Sequence, residues 1–241
     1  MKTVEWGTNS LEELVAFDEL LLNKAESGEI GEVLRFWSSN QYLIAVGRSG
    51  KVSEDCSVDE CRRDGIKIIR RISGGGSVLQ GPGCINYSAI LSYDSAGEYR
   101  DIRTSYQSIL QRLADSLRKE GHDVNFFPIC DLALSKKKIS GNAHARKKKF
   151  FLHHGTFLIS FDLDKVPRYL KHPSKEPEYR SGRAHGDFLA NISISREELE
   201  HLIKETFSAT EGRWTPGKDD LKELKNLVDN KYRADKWNYA F

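Results

Sequence analysis

Three consecutive glycines, Gly74, Gly75 and Gly76, stand between two stretches rich in β-forming residues, 67–72 and 85–93. Every ordered glycine forfeits more backbone entropy than any other residue, so a run of three inside a would-be sheet is a poor choice for a plain connection. Something approaches that backbone closely. Without Cβ atoms the run can aim several N–H groups at one anion, and Arg70 and Arg71 just before it add charge and forked donors. It is neither Gly-x-Gly-x-x-Gly opening a helix nor a Walker loop, since no Gly-Lys-Ser/Thr follows. A tight hairpin turn with both arginines in solvent is the other reading of the same residues.

A second cluster lies further on. Residues 132–161 hold no Asp or Glu but six Lys and one Arg, a local charge of +7 in a chain whose 37 Lys+Arg and 35 Asp+Glu leave +2 overall. The remainder is therefore net acidic, and this segment concentrates field on an anionic ligand. A solvated basic loop and an RNA-contacting loop are the alternatives. Within Lys136-Lys137-Lys138-Ile139-Ser140-Gly141-Asn142-Ala143-His144, the residues Ile139 to Gly141 place Lys138 in a strand-turn and give it a definite direction. His153-His154-Gly155-Thr156-Phe157-Leu158 then opens a β-run, where neighbouring side chains face opposite ways and cannot easily share one metal. No carboxylate or thiol at ligand spacing joins them or His144, which argues against a metal centre built from these residues.

The rest of the chain frames these clusters. Ser10 with Glu13, and Ser195 with Glu198, are capping boxes ahead of apolar residues at helical spacing, predicting helices to about residue 26 and from 195 onward. A long amphipathic helix is predicted over 101–120, closed by Gly121, and a last one over 219–232. Strands are expected over 33–37 and 42–46 as a hairpin, over 67–72 and 85–93, and around 125–127, 131–134 and 155–160; residues 167–186 read as a long loop or broken helix. With 241 residues, 39% hydrophobic, and no repeat or linker, the expectation is one α+β domain spanning 1–241. Near-balanced charge gives no reason for a nucleic-acid or membrane coat, no apolar run is long enough to cross a bilayer, and residues 1–10 do not read as a signal peptide. A cytoplasmic protein is expected. Cys56, Cys61, Cys84 and Cys130 form neither a disulfide framework nor a C-x-x-C pair and read as reduced thiols.

Taken together, Arg-Arg-Ile-Ser-Gly-Gly-Gly at 70–76, Lys-Ile-Ser-Gly-Asn-Ala at 138–143 and His-His-Gly-Thr-Phe-Leu at 153–158 resemble, in order and spacing, the catalytic domain of the type A lipoate-protein ligases, within the biotin/lipoate protein ligase family. Trp237-Asn238-Tyr239 is similar to the end of that domain. The resemblance implies a mixed β-sheet flanked by helices with the ligand across the sheet. It implies an enzyme that joins lipoate or octanoate to AMP using ATP and Mg, then passes the acyl group to a lysine of a lipoyl carrier domain. On the matching positions, Lys138 is the catalytic lysine, and Asp131 accepts the proton that the incoming carrier lysine loses or binds magnesium. Arg71, Ser73, Gly74, Gly75, Gly76, Ser77, Cys84, Asn86, Ser140, Gly141, Ala143, His154, Gly155 and Thr156 then hold the substrate and adenylate.

The chain departs from the family pattern in three places. Gln80-Gly81-Pro82-Gly83-Cys84 stands where the ligases have His-Asp-x-Gly-Asn, the segment from Arg180 to Asn191 is only loosely similar, and the expectation is a catalytic domain without the accessory domain that follows it in two-domain ligases. A separate accessory protein, or a chain performing only acyl transfer, follows as an alternative. So does an ATP-independent octanoyltransferase using a cysteine thioester, for which Cys84 and Cys130 are the residues on offer. A non-catalytic lipoyl- or RNA-binding module and a biotin ligase complete the alternatives; intact Lys138 argues against the first and the Ser-Gly-Gly-Gly run against the second.

Overall fold

Ser10 and Ser195 start helices as their neighbours suggest: each hydroxyl accepts the N–H three residues on, from Glu13 at 3.3 Å and Glu198 at 3.1 Å. The structure, a computed structural model, describes every residue except 174. Its strands are β1 Lys2–Val4, β2 Val33–Trp37, β3 Leu43–Val46, β4 Lys67–Arg70, β5 Val78–Gln80, β6 Cys84–Ser92, β7 Val124–Phe127, β8 Asp131–Leu134, β9 Lys137–Arg146, β10 Phe150–Leu158 and β11 Arg213–Trp214. Its helices are α1 Leu11–Ser27, α2 Val52–Asp55, α3 Val58–Arg63, α4 Ile102–Lys119, α5 Val166–Tyr169, α6 His185–Phe188, α7 Arg196–Thr206, α8 Lys218–Leu227 and α9 Asp235–Asn238.

Eight strands form one mixed sheet in the order β11-β1-β2-β6-β10-β9-β8-β7, and β4-β3-β5 form a second. On the back of the large sheet, α4 and α7 bury Ile109, Leu113, Leu199 and Ile203 against Leu34, Tyr87 and Phe151. On the front, α1 and α8 bury Leu14, Phe17, Leu21 and Leu224 against Val33, Ile90 and Leu152. The small sheet packs Ile44, Val46 and Leu79 against Leu158 and Phe161. The expected mixed sheet flanked by helices is what forms.

Three local expectations need correction. The segments 33–37 and 42–46 are not a hairpin: β2 pairs with β1 and β6 in the large sheet, while β3 pairs with β4 and β5 in the small one. Alternation alone marks strands but carries no information about which partner they meet. The β-run at the histidines begins at Phe150, not Gly155, so both histidines lie mid-strand. Lys138 is not in a turn either. The turn precedes it at Ser135 and Lys136, whose φ values are 45° and 63°, and β9 runs unbroken to Arg146. Residues 167–186 contain α5 and the start of α6 joined by irregular chain; the part of that reading at residue 174 lies outside the described residues.

Candidate active site

Both arginines before the glycines are buried, which overturns the solvent-facing hairpin. Arg71 curls back on the bend it precedes: Nε donates to Ser73 Oγ at 2.9 Å, Nη1 to Ala45 O at 2.7 Å, and Nη2 to Gly74 O and Gly76 O at 2.7 and 2.8 Å. Burial pushes its guanidinium down to about 10, still charged at neutral pH. Gly75 adopts φ +86°, a left-handed conformation natural only to glycine, and a Cβ on neighbouring Gly47 would land 1.9 Å from Gly75 O. The bend rests on β9, where Gly74 N–H donates to His144 O at 3.3 Å and Gly75 faces Ala143. Gly75 and Gly76 are exposed, and among the described residues no protein acceptor takes their N–H groups.

Lys138 is brought to the same face as this bend by an irregularity in β9. Residues three apart in a strand face opposite ways, yet Lys138 and Gly141 meet on one face. Leu132 pairs with Ser140 and Ala133 with Lys138, so Ile139 is an extra residue, and this β-bulge reverses the parity. The ammonium then lies over Gly141, where an added Cβ would come within 2.7 Å of Nζ. Asp131, paired with Gly141 across the strands, holds it at 2.8 Å, and Tyr179 donates to the other carboxylate oxygen at 2.9 Å. Burial opposes the lysine's charge, but Asp131 outweighs it and holds its pKa above the ordinary value. Gly141 and Ala143 are two residues apart on the same face, so ammonium and glycine bend are separated by roughly 7 Å along β9. The space between them has a fixed cation on one side and a glycine backbone free of side chains on the other.

A buried chain of side chains backs the bend. Ser73 Oγ lies 2.6 Å from His154 Nε2, His154 Nδ1 lies 2.9 Å from Asp18 Oδ2, and Arg35 Nη1 donates to Asp18 Oδ1 at 2.6 Å. Burial disfavours the Asp18 charge, yet His154 and Arg35 outweigh it and keep its carboxyl below the usual value. Ser73 is completely buried and its Oγ is engaged by Arg71 as well as His154, so this Ser–His–Asp arrangement positions the bend and offers no nucleophile. Asp18 and Arg35 were absent from the sequence reading, though each carried a signal: a carboxylate on the apolar stripe of α1 between Leu14 and Leu22, and an arginine sharing its strand face with Val33 and Trp37.

The remaining predicted residues scatter. Thr156 and Asn86 are cross-strand partners, with the Thr156 hydroxyl donating to Asn86 Oδ1 at 2.5 Å. Thr156 is also the partner of Gly141, which places the pair beside the ammonium. Gln80, in the region that departs from the family pattern, bridges the sheets by donating to both at 2.9 and 3.0 Å. Ser77 turns away to Asp55 at 2.7 Å. Cys84 is buried in the small-sheet core, and Ser140 lies under Asn142 on the back. Gly155 serves by its missing side chain: a Cβ there would meet Asn142 Oδ1 at 1.9 Å.

Asp131 has both oxygens engaged, and among the described residues no group of three or more His, Cys, Asp or Glu could hold a metal ion. These side chains do not fit a protein-held magnesium site. What the arrangement can do is gather a carboxylate and a phosphate around one ammonium.

A family model described as "Lipoyl protein ligase A/B catalytic domain" matches residues 10–208. Lipoate-protein ligase A subunit 1 of Thermoplasma acidophilum is 27% identical over 93% of this chain and 90% of its own length. Octanoyltransferase LipM of Halalkalibacterium halodurans is 24% identical over 93% of each chain. A solved structure of lipoate-protein ligase A bound with ATP superposes with a TM-score of 0.84 at 24% identity, covering 99% of this chain and 98% of that one.

Proposed function

We propose, from the premise that this chain belongs to the lipoyl protein ligase A/B catalytic-domain family and is an enzyme, that it activates lipoate or octanoate with ATP and transfers the acyl group to a lysine of a carrier domain. One observation carries the reading: the Lys138 ammonium is held by Asp131 above Gly141, on the same strand against which the glycine bend rests at Ala143 and His144. In activation a carboxylate oxygen bonds to the α-phosphorus of ATP, the bond from that phosphorus to the bridging oxygen breaks, and pyrophosphate leaves. Two anions must meet, and a compact cation between them lowers the cost. In transfer the carrier lysine's neutral amine bonds to the acyl carbonyl, AMP departs with the C–O electrons, and a proton passes to solvent. Lys138 then stabilises the carbonyl oxygen as its charge grows, while Asp131 and Tyr179 keep the ammonium in place.

The octanoyltransferase among the relatives keeps a cysteine-thioester route in view. Burial pushes the Cys130 thiol up to about 11, Asp131 adding to it, and burial alone pushes Cys84 to about 12. A nucleophilic cysteine needs the opposite environment, which favours the adenylate route. The Thermoplasma relative is named as a subunit, which supports a second chain assisting adenylation. The test is the intact mass of a lipoyl carrier domain incubated with this protein, lipoate and ATP, with and without a second subunit. A lipoyl mass increment that requires ATP and survives Cys84→Ser and Cys130→Ser is expected; an increment from an octanoyl carrier without ATP, lost in either variant, would assign the chain to the transferases.

A further inference from the structure

We propose that the C-terminal turn at Trp237 and Asn238 is a positioning element for the glycine bend, acting through Arg70. These residues lie beyond the 10–208 covered by the family match. Arg70 is completely buried, and its contacts run in two directions. Toward the C-terminus, its Nε donates to Trp237 O at 2.8 Å, its Nη2 to Asn238 O at 3.0 Å and its backbone N–H to Asn238 Oδ1 at 3.0 Å. Trp237 Nε1 returns a bond to Arg70 O at 2.8 Å. Toward the site, Nη1 donates to Gly47 O at 2.8 Å, Arg48 O at 3.2 Å and Gly50 O at 2.7 Å.

That turn at 47–50 is the floor of the bend. Arg48 N–H donates to Ser73 O at 2.8 Å, and Gly47 sits so close to Gly75 O that any side chain at 47 would collide with it. A continuous chain of contacts therefore runs from the C-terminal turn through Arg70 and residues 47–50 to the backbone whose N–H groups face the ligand. The C-terminal turn is itself fastened from the other side. Asn238 Nδ2 donates to Tyr232 O at 2.8 Å, the Lys231 ammonium lies 4.1 Å from the Trp237 ring centre, and Glu19 on α1 accepts from both Lys231 and Tyr232. Arg71 holds the bend by its own carbonyls; Arg70 ties it to an element more than 160 residues away in sequence.

Removing the Asn238 side chain deletes the acceptor for Arg70 N–H and the donor to Tyr232 O while leaving both backbone carbonyls that hold the guanidinium. The bend should loosen without the fold being lost. The inference rests on the bend being a ligand-binding element, so the experiment reads the bend both with and without ligand. Amide hydrogen exchange of Gly74 and Arg48, whose N–H groups are bonded to His144 O and Ser73 O, is measured in Asn238→Ala, in the milder Trp237→Phe, and in Leu202→Val on α7 as a control of similar general destabilisation. Binding of a non-hydrolysable acyl-adenylate analogue is then measured by calorimetry. Exchange at the bend about tenfold faster in Asn238→Ala, less so in Trp237→Phe and unchanged in the control, with analogue affinity weakened by a similar factor, is the result expected for one lost buried hydrogen bond. Unchanged exchange at both Gly74 and Arg48 in Asn238→Ala overturns the inference outright. Faster exchange with unaltered analogue affinity overturns the binding role of the bend, and the positioning role with it.

Discussion

His153 and His154 are neighbours in one strand and live in opposite chemistries. On the front of the sheet, His154 joins Ser73 to Asp18 and Arg35 in a chain of charged and polar groups that ends at the glycine bend. On the back, Tyr87 donates to Asn142 Oδ1 at 2.7 Å, so His153 Nε2 must donate to the tyrosine oxygen at 2.8 Å. A neutral His153 then accepts at Nδ1 from His144 Nε2 at 2.6 Å, and the buried lone pair of His144 Nδ1 is left without a partner. Burial pushes His153 down to about 3, and burial followed by His153 pushes His144 lower still. Tyr106 stacks on His144 at 3.7 Å and closes that side. The front thus keeps its charges in place for a ligand, whereas the back excludes charge and ties β6, β9 and β10 together. The Lys-Ile-Ser-Gly-Asn-Ala motif is split the same way: Lys138, Gly141 and Ala143 work on the front, Ser140 and Asn142 on the back.

Substitutions on the two faces should separate activity from stability. Lys138→Ala carries the largest effect. An ion pair at about 4 Å in an effective dielectric near 20 is worth roughly 4 kcal/mol, so transfer from preformed acyl-adenylate should slow by about a thousandfold per folded molecule in single-turnover assays, beyond any stability lost by leaving Asp131 unpaired. Gly141→Ala places a methyl group where the ammonium sits, and a displacement of about 1 Å should slow the same reaction roughly a hundredfold. If Gly141→Ala instead matches the parent, the ammonium does not act from the position described. His154→Ala should reduce adenylate formation about tenfold, the size expected for one lost hydrogen bond to Ser73. His153→Phe should reverse that pattern: about 1–3 kcal/mol of stability lost in denaturant titration, since Tyr87 and His144 lose partners inside the core, with turnover per folded molecule nearly intact. Activity lost in His153→Phe without loss of stability would erase the distinction between the faces.

The back face also carries a slope with pH. His144 and His153 have folded pKa values depressed below the unfolded value of about 6.5, so the unfolded chain binds more protons below that pH. Their contribution is fully present above pH 6.5 and is lost as pH falls toward about 3, at about 1.4 kcal/mol per pH unit for each histidine. Denaturant midpoints between pH 7 and 5 should follow that slope, and His144→Phe should flatten it; an unchanged slope in the variant would place the proton uptake elsewhere.

How far the sequence could be read follows the same division. Helices announced by a cap and a 3.6-residue period form where expected, because both signals are local. The three motifs, distant in sequence, come together in the fold around Lys138 and the glycine bend, because a glycine run and a charge cluster leave a compositional mark. Partner choice was not legible: β2 and β3 look like a hairpin because strand alternation says nothing about pairing. The bulge at Ile139 was hidden as well, being a property of the register with β8 and not of β9 alone. Asp18, Arg35 and Tyr179 were missed because their roles depend on groups far away in sequence, and only the anomaly of a charge on an apolar face marks the first two. Arg70 and Arg71 looked interchangeable, yet one holds the bend and the other holds the C-terminal turn.

The most direct measurement is exchange of radiolabelled pyrophosphate into ATP, dependent on lipoate or octanoate, in the parent and in Lys138→Ala, each with and without a candidate second subunit. The account predicts acid-dependent exchange in the parent that falls by about three orders of magnitude in the variant. No exchange by the parent under either condition, or full exchange by Lys138→Ala, would contradict it.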